Sequence, residues 1–330
     1  MFANLFRKFK LFPTLSKFCQ ARGNVLLFRC LPFRVSRFYL FLIGKLYFFF
    51  KPREKALIYR TISLVLGRDL PGKAVKTIIH RAFSGIIEHY HEKLFVAYSN
   101  FRRLLRFLAE RIELQGEPEL KQALAAGKGV VLVTGHFGAV EFLPGCLALK
   151  GYPVTMICRF QTNRLRTSLQ ERAARVNLNL IDADQGNVFL AAVKALKAGQ
   201  ILITECDEFD EWRPGDRHHT TFLNTRLTAD RTLDLLCKRS GAPVVTALMQ
   251  RNGQKRYTLK LAAVAQGQED TPLPMGVRCL SVLEAAVWAD PAQWYQWKKF
   301  GQMILPEFEA GYDHQKSGYL APEAAFSLPV

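Results

Sequence analysis

Residues 129–141 read Gly129-Val130-Val131-Leu132-Val133-Thr134-Gly135-His136-Phe137-Gly138-Ala139-Val140-Glu141. The β-branched apolar run Val130 to Val133 predicts a short strand of a parallel sheet, buried on both faces. Gly135 and Gly138 give the chain the freedom to turn, and the composition from Ala139 onward predicts a helix. The stretch is therefore a strand-turn-helix junction that carries an imidazole and, five residues later, a carboxylate. On one continuous helix those two side chains would stand about 140° apart, at ~100° per residue. His136 is accordingly expected before the helix and Glu141 in its first turn, where carboxylate and imidazole can touch. In that arrangement Glu141 holds one ring nitrogen protonated and leaves the other to take a proton from an attacking hydroxyl, the pattern of a general base.

The same alternation runs outward in both directions. Helices are expected at Glu117–Ala126, Val140–Lys150, Asn163–Asn177, Asn187–Lys197 and Ala229–Ser240, and strands at Val154–Cys158, Leu178–Ile181, Ile201–Thr204, Pro243–Met249 and Tyr257–Ala263. Strands separated by helices of about ten residues imply an α/β fold, with a mostly parallel central sheet flanked by helices. Ligands of such sheets bind beyond the carboxyl ends of the strands. Three of those ends carry polar groups: His136; Arg159 with Asn163, Arg164 and Arg166; and Glu205-Cys206-Asp207. The arginines suit phosphate or carboxylate, and Asp207 opens an acidic run that also reads as a plain loop.

Of the 330 residues, the first 60 hold 13 Lys or Arg against one acid, Glu54, which places a net +12 of the chain's +18 there. They also hold 12 of the 25 phenylalanines. Rings interleaved with cations suit the headgroup boundary of an anionic membrane. The run Phe38 to Phe50 contains Lys45 and falls short of the ~20 apolar residues a spanning helix needs. An anchor lying on the membrane is expected; a tilted span with Lys45 snorkelling is the other arrangement. Nucleic acid is not expected as a partner, because no zinc-finger, KH or RNP1-like pattern accompanies the charge. A cleavable signal peptide fits poorly, since Lys17, Arg22 and Arg29 interrupt the first apolar stretch.

The expected divisions are residues 1–55 as a basic, aromatic anchor, 56–115 as a helical region broken at Asp69-Leu70-Pro71-Gly72, 116–310 as the α/β catalytic domain and 311–330 as a tail. Seven cysteines without a C-x-x-C pair read as reduced, packed thiols. His80, His89 and His91 lack a metal-ligand pattern and are expected to be structural or exposed.

Together these segments resemble the bacterial lipid A biosynthesis acyltransferases, from the anchor to about residue 305. Thr134 to Glu141 is similar to that family's His-x4-acid box, Arg159 and Asn163 to its arginine-then-asparagine segment, and Leu202 to Asp207 to the strand ending in its aspartate. Ala229 to Thr246 looks like its helix leading to Gly241-Ala242-Pro243-Val244-Val245, and Pro291 to Phe300, with Gln293-Trp294, like its closing segment. The resemblance implies an enzyme of the bacterial inner membrane, active on the cytosolic side, that moves a fatty acyl chain from acyl carrier protein to a hydroxyl of a phosphorylated glycolipid. It implies His136 as base, Glu141 orienting it, Arg159, Asn163 and Arg166 on the substrate, and Asp207 supporting the site, with no metal and no cofactor. The chain departs from the family at Trp212 to Asn224, so a different acceptor such as an aminolipid stays open. A membrane-binding protein without activity is the rival from another class.

Overall fold

The computed structural model describes residues 20–253, 256–264 and 273–305, with the backbone alone for 214–218. The first 19 residues of the expected anchor and the 311–330 tail lie outside these. Strand β2 (Val130–Thr134) is buried along its length and has parallel neighbours on both sides. The sheet around it has seven strands in the order β1 (Ile112–Gln115), β9 (Tyr257–Ala263), β8 (Val244–Arg251), β2, β5 (Ile201–Glu205), β3 (Val154–Cys158), β4 (Leu178–Asp182). Every pairing is parallel except β8 with β9. Register sets Thr134 level with Glu205 and Cys158 level with Asp182. The three polar strand ends thus leave the sheet along one edge.

Among the described residues, five helices precede the sheet, α1 (Arg22–Cys30), α2 (Phe33–Phe50), α3 (Pro52–Leu66), α4 (Gly72–Tyr98) and α5 (Phe101–Arg111). Among the described residues no helix is long and apolar enough to cross a membrane. Within and after the sheet come α6 (Glu117–Ala125), α7 (Leu143–Leu149), α8 (Asn163–Ala174), α9 (Val188–Lys197), α10 (Thr232–Ser240), α11 (Met275–Ala289) and α12 (Trp297–Ile304). Alternate residues of β2 and β5 feed two cores, as the period of a strand requires. Val131, Val133 and Leu202 pack with Leu40, Ile62 and Ile87 of the N-terminal helices. Val130, Leu132, Ile201 and Ile203 pack on the other face with Leu104, Phe142 and Leu147.

The structure differs from expectation in two places that matter for the site. The helix after His136 begins as a single 3-10 turn, Val140–Phe142, before α7 takes over. And the segment after Trp212, where no strand is expected, is a hairpin, β6 (Pro214–Phe222) with β7 (Thr225–Asp230). Its two-residue turn, Leu223-Asn224, has φ of 50° and 60°, the left-handed pair that matches the twist of a tight hairpin. Leucine is a rare occupant of that conformation, so no turn signal was visible there. Leu223 is buried, and its N–H donates to Glu284 Oε1 at 2.6 Å.

Candidate active site

The backbone after β2 is fastened from two sides. Ala139 N–H donates to the Met249 carbonyl at the end of β8, and Gly138 N–H to the Gln293 carbonyl. Tyr295 N–H donates to the His136 carbonyl, so the segment after α11 grips the turn. Gly138 has φ of 59°, and a Cβ there would lie 1.8 Å from the Met249 oxygen. Only glycine fits that approach.

This turn delivers His136 to the carboxyl edge of the sheet, with 12% of its side chain exposed. Its Nδ1 lies 2.9 Å from Asp207 Oδ1, and its backbone N–H reaches both Asp207 oxygens at 3.0 and 3.1 Å. Asp207 is fully buried, and the Trp294 indole N–H donates to its Oδ2 at 2.8 Å. A carboxylate so surrounded by donors is an acceptor, which fixes the proton of the imidazole on Nδ1. The other nitrogen, Nε2, faces Glu208 Oε1 at 3.2 Å and Glu205 Oε2 at 3.4 Å. Lys299 holds the second oxygen of Glu208 at 2.7 Å. The Tyr295 ring meets the imidazole edge-on, centroids 5.2 Å apart.

The charges set the protonation. Burial opposes a charge on His136, but Glu205 and Asp207 outweigh it and hold the pKa well above the usual value. Burial pushes Glu205 up to about 7, against the pull of His136. Burial works the same way on Glu208, yet its hydrogen bond to His136 prevails and brings it down to about 2. The surrounding carboxylates thus favour the imidazolium form of His136.

The carboxylate expected on the imidazole, Glu141, has other partners. It lies 3.4 Å from Lys93 Nζ and 3.7 Å from His89 Nε2, both on α4. The 3-10 turn is the reason, since it carries Glu141 toward α4 while Asp207 arrives from β5 to take Nδ1. Burial disfavours the charge of Lys93, but Glu141 and Glu205 reverse that and raise its pKa. Burial, then Lys93, push His89 well below its usual value, so it stands beside Glu141 as a neutral ring stacked on Tyr295, centroids 3.7 Å apart.

Arg159, Asn163 and Arg166 share the edge but not the imidazole. Strand β3 is two strands from β2, roughly 10 Å at the usual spacing. Arg159 is held by Asp184 at 2.9 Å and Glu211 at 2.6 Å. Arg166 is paired with Asp182 at 2.7 Å, and Asn163 is exposed at the start of α8. A cavity of about 430 Å³ is lined by residues of α2, α4, β8 and the 290–293 segment. Most of its charged lining is paired, Arg37 with Glu88, Arg81 with Asp290 and Arg251 with Glu92. Arg251 also donates to the Gly138 carbonyl at 2.6 Å, so this lining buttresses the turn, and His136 is not part of it. Of the other histidines, His80 is exposed, and His91 is buried with Ser36 Oγ 2.9 Å from its Nε2.

The family described as bacterial lipid A biosynthesis acyltransferase matches residues 17–299. The chain belongs to that family. No curated protein matches the chain. As a lipid A biosynthesis acyltransferase it transfers an acyl group from a donor to a lipid A-like acceptor, in the synthesis of lipid A and lipopolysaccharide. The matched span takes in every residue of the His136 cluster. Sequence reasoning had Asp207 only as a support, read Glu205 and Glu208 as parts of an acidic strand end and loop, and gave Lys93, Tyr295 and Lys299 no role. The acidic run Glu205 to Glu208 was the usable signal for two of these. Nothing in local pattern joins Trp294, Tyr295 or Lys93 to a histidine so far away in the chain.

Proposed function

We propose that this acyltransferase takes a fatty acyl chain from the thioester of acyl carrier protein and places it on a hydroxyl of a lipid A precursor or related glycolipid, with His136 as general base. The observation that carries the reading is the buried Asp207 carboxylate on Nδ1, itself fixed by Trp294. It orients the ring and stabilises the imidazolium, while Nε2 serves the substrate. Before reaction His136 passes its Nε2 proton to the adjoining carboxylates or to water. The acceptor hydroxyl then gives its proton to Nε2 as its oxygen attacks the thioester carbonyl. The tetrahedral adduct collapses with loss of the thiolate, which takes the proton from the imidazolium. In this scheme Glu141, tied to Lys93, acts on the charge balance of the site and positions α4 against the turn. In this reading Arg159 and Arg166, on the same edge, meet phosphate once their carboxylate partners exchange. Glu205 and Glu208 beside Nε2 favour a second acceptor class, an amine-bearing lipid, because carboxylates attract ammonium and repel phosphate.

The exposed face of α2 supports attachment to the inner membrane on the cytosolic side. Val35, Phe38, Leu42, Leu46 and Phe49 recur at helical spacing and are all exposed, Phe38 by 63% and Phe49 by 75%, among Arg34, Arg37 and Lys45. The test of the reaction is incubation of wild type and His136→Ala with labelled acyl carrier protein thioester and a bacterial total lipid extract, with products identified by mass spectrometry. A new ester from wild type alone is expected. Equal product from both would remove His136 from the chemistry, and no product from either, with folded protein, would favour the membrane-binding rival.

A further inference from the structure

The nitrogen that serves as base sits in a ring of ligand atoms. His136 Nε2, Glu205 Oε2 and Glu208 Oε1 stand 3.4 and 3.2 Å apart along the two edges that meet at the imidazole, and the three donor groups lie within 4.8 Å of one another. An ion bound at 2.0–2.2 Å has its ligands about 3.4 Å apart in a tetrahedron and about 3.0 Å apart in an octahedron. The two edges at the imidazole fall in that interval, and the third lies within 4.8 Å. A second feature suits ligation as well as general-base work: Nδ1 of the same ring is tied to Asp207. Ligating histidines almost always donate their other N–H to a carboxylate or carbonyl, which fixes the ring and makes the coordinating nitrogen more basic. The charges agree as well. When the imidazole is neutral, the carboxylates of Glu205, Asp207 and Glu208 outnumber the ammonium groups near them, Lys299, which also reaches Asp210 at 3.5 Å, and Lys93.

We infer that His136, Glu205 and Glu208 form a binding site for a divalent transition cation of the zinc class. One imidazole and two carboxylates suit Zn2+, Co2+ and Mn2+ better than Mg2+, which keeps its waters and prefers oxygen alone. The ion is not a cofactor. It occupies the lone pair that acyl transfer requires, so it inhibits, and that consequence alone rests on the proposed function; the binding does not. Lys299 is its competitor, because it draws Glu208 away through the second oxygen.

The test is calorimetric titration of the full chain with Zn2+ after exhaustive chelation, with folding of each variant checked by circular dichroism. Equimolar binding is expected, weakened at least about tenfold by Glu208→Gln and by Glu205→Gln, since loss of even an outer-shell partner costs about 10–100-fold. Lys299→Met is expected to tighten binding, a gain that misfolding cannot imitate. Co2+ should give visible d–d bands without a thiolate charge-transfer band. Absence of equimolar binding, unchanged affinity in all three variants, or a thiolate band placing the ion on a cysteine would each overturn the site. If Zn2+ binds as expected and no acyl product forms under any condition, the proposed function fails and the site stands.

Discussion

Two carboxylates compete for the part of orienting His136, and they are separable by experiment. Asp207 makes the hydrogen bonds to the ring and to the backbone N–H; Glu141 pairs with Lys93. The base form of an imidazole exists above its pKa. Because Glu205 and Asp207 hold that pKa well above the usual value, the acid limb of kcat/KM against pH is expected above the ordinary histidine value of about 6.5. Asp207→Asn removes one of the raising charges, so the limb moves to lower pH while the plateau falls by roughly 10²–10⁴-fold as orientation is lost. Glu141→Gln removes a charge farther from the ring and should move the limb less and lower the plateau less. Rate profiles of the three proteins decide the matter. A larger displacement in Glu141→Gln would return the orienting part to Glu141.

At the scale of elements, the strand-turn-helix junction was legible because it rests on local facts: a β-branched run, two glycines, and the apolar pattern of α7. The sheet was legible for the same reason, as β2, β3, β4, β5 and β8 are apolar runs each preceded by a helical segment, and β9 follows β8 directly. What local pattern could not supply is which carboxylate reaches the histidine. That depends on the register of β5 against β2, which sets Glu205 level with Thr134 and so brings Asp207 beside His136. It depends also on the segment 291–295, which is joined to the turn only by tertiary hydrogen bonds. Gly138 is the point where these constraints meet. Gly138→Ala puts a side chain in a left-handed conformation, at a strain of about 1–3 kcal/mol, and forces Cβ against the Met249 carbonyl. The expected result is a lower melting temperature and loss of most acyl transfer, because the turn must leave β8 to relieve the overlap. A stable Gly138→Ala enzyme with full activity would show that the clasp between the turn and β8 does not position His136.

Across the whole molecule, the N-terminal helices are part of the core as well as the carrier of the apolar face. Leu40, Tyr47 and Phe48 of α2 are buried, and Gly44 lies so close to α4 that a Cβ there would meet Ile87 at 2.5 Å. Arg37 pairs with Glu88, and Ser36 lies beside His91, both on α4, the helix that presents His89 and Lys93 to the active site. Deleting residues 1–50 would therefore test folding and membrane attachment at once. Substitution of the exposed face separates them. Phe38→Ser, Leu42→Ser and Phe49→Ser leave the buried face of α2 intact and remove three side chains that lipid would cover. Burying such a side chain is worth about 1.5–3 kcal/mol. The triple variant should lose at least about 4 kcal/mol of attachment, near a thousandfold in partition. In flotation with anionic vesicles, wild type is expected to float at low and high salt. The variant should float only at low salt, held by basic side chains whose attraction salt screens. Undiminished flotation of the variant at high salt would place the membrane contact on another surface, and α2 would then need a different account of its exposed apolar side chains.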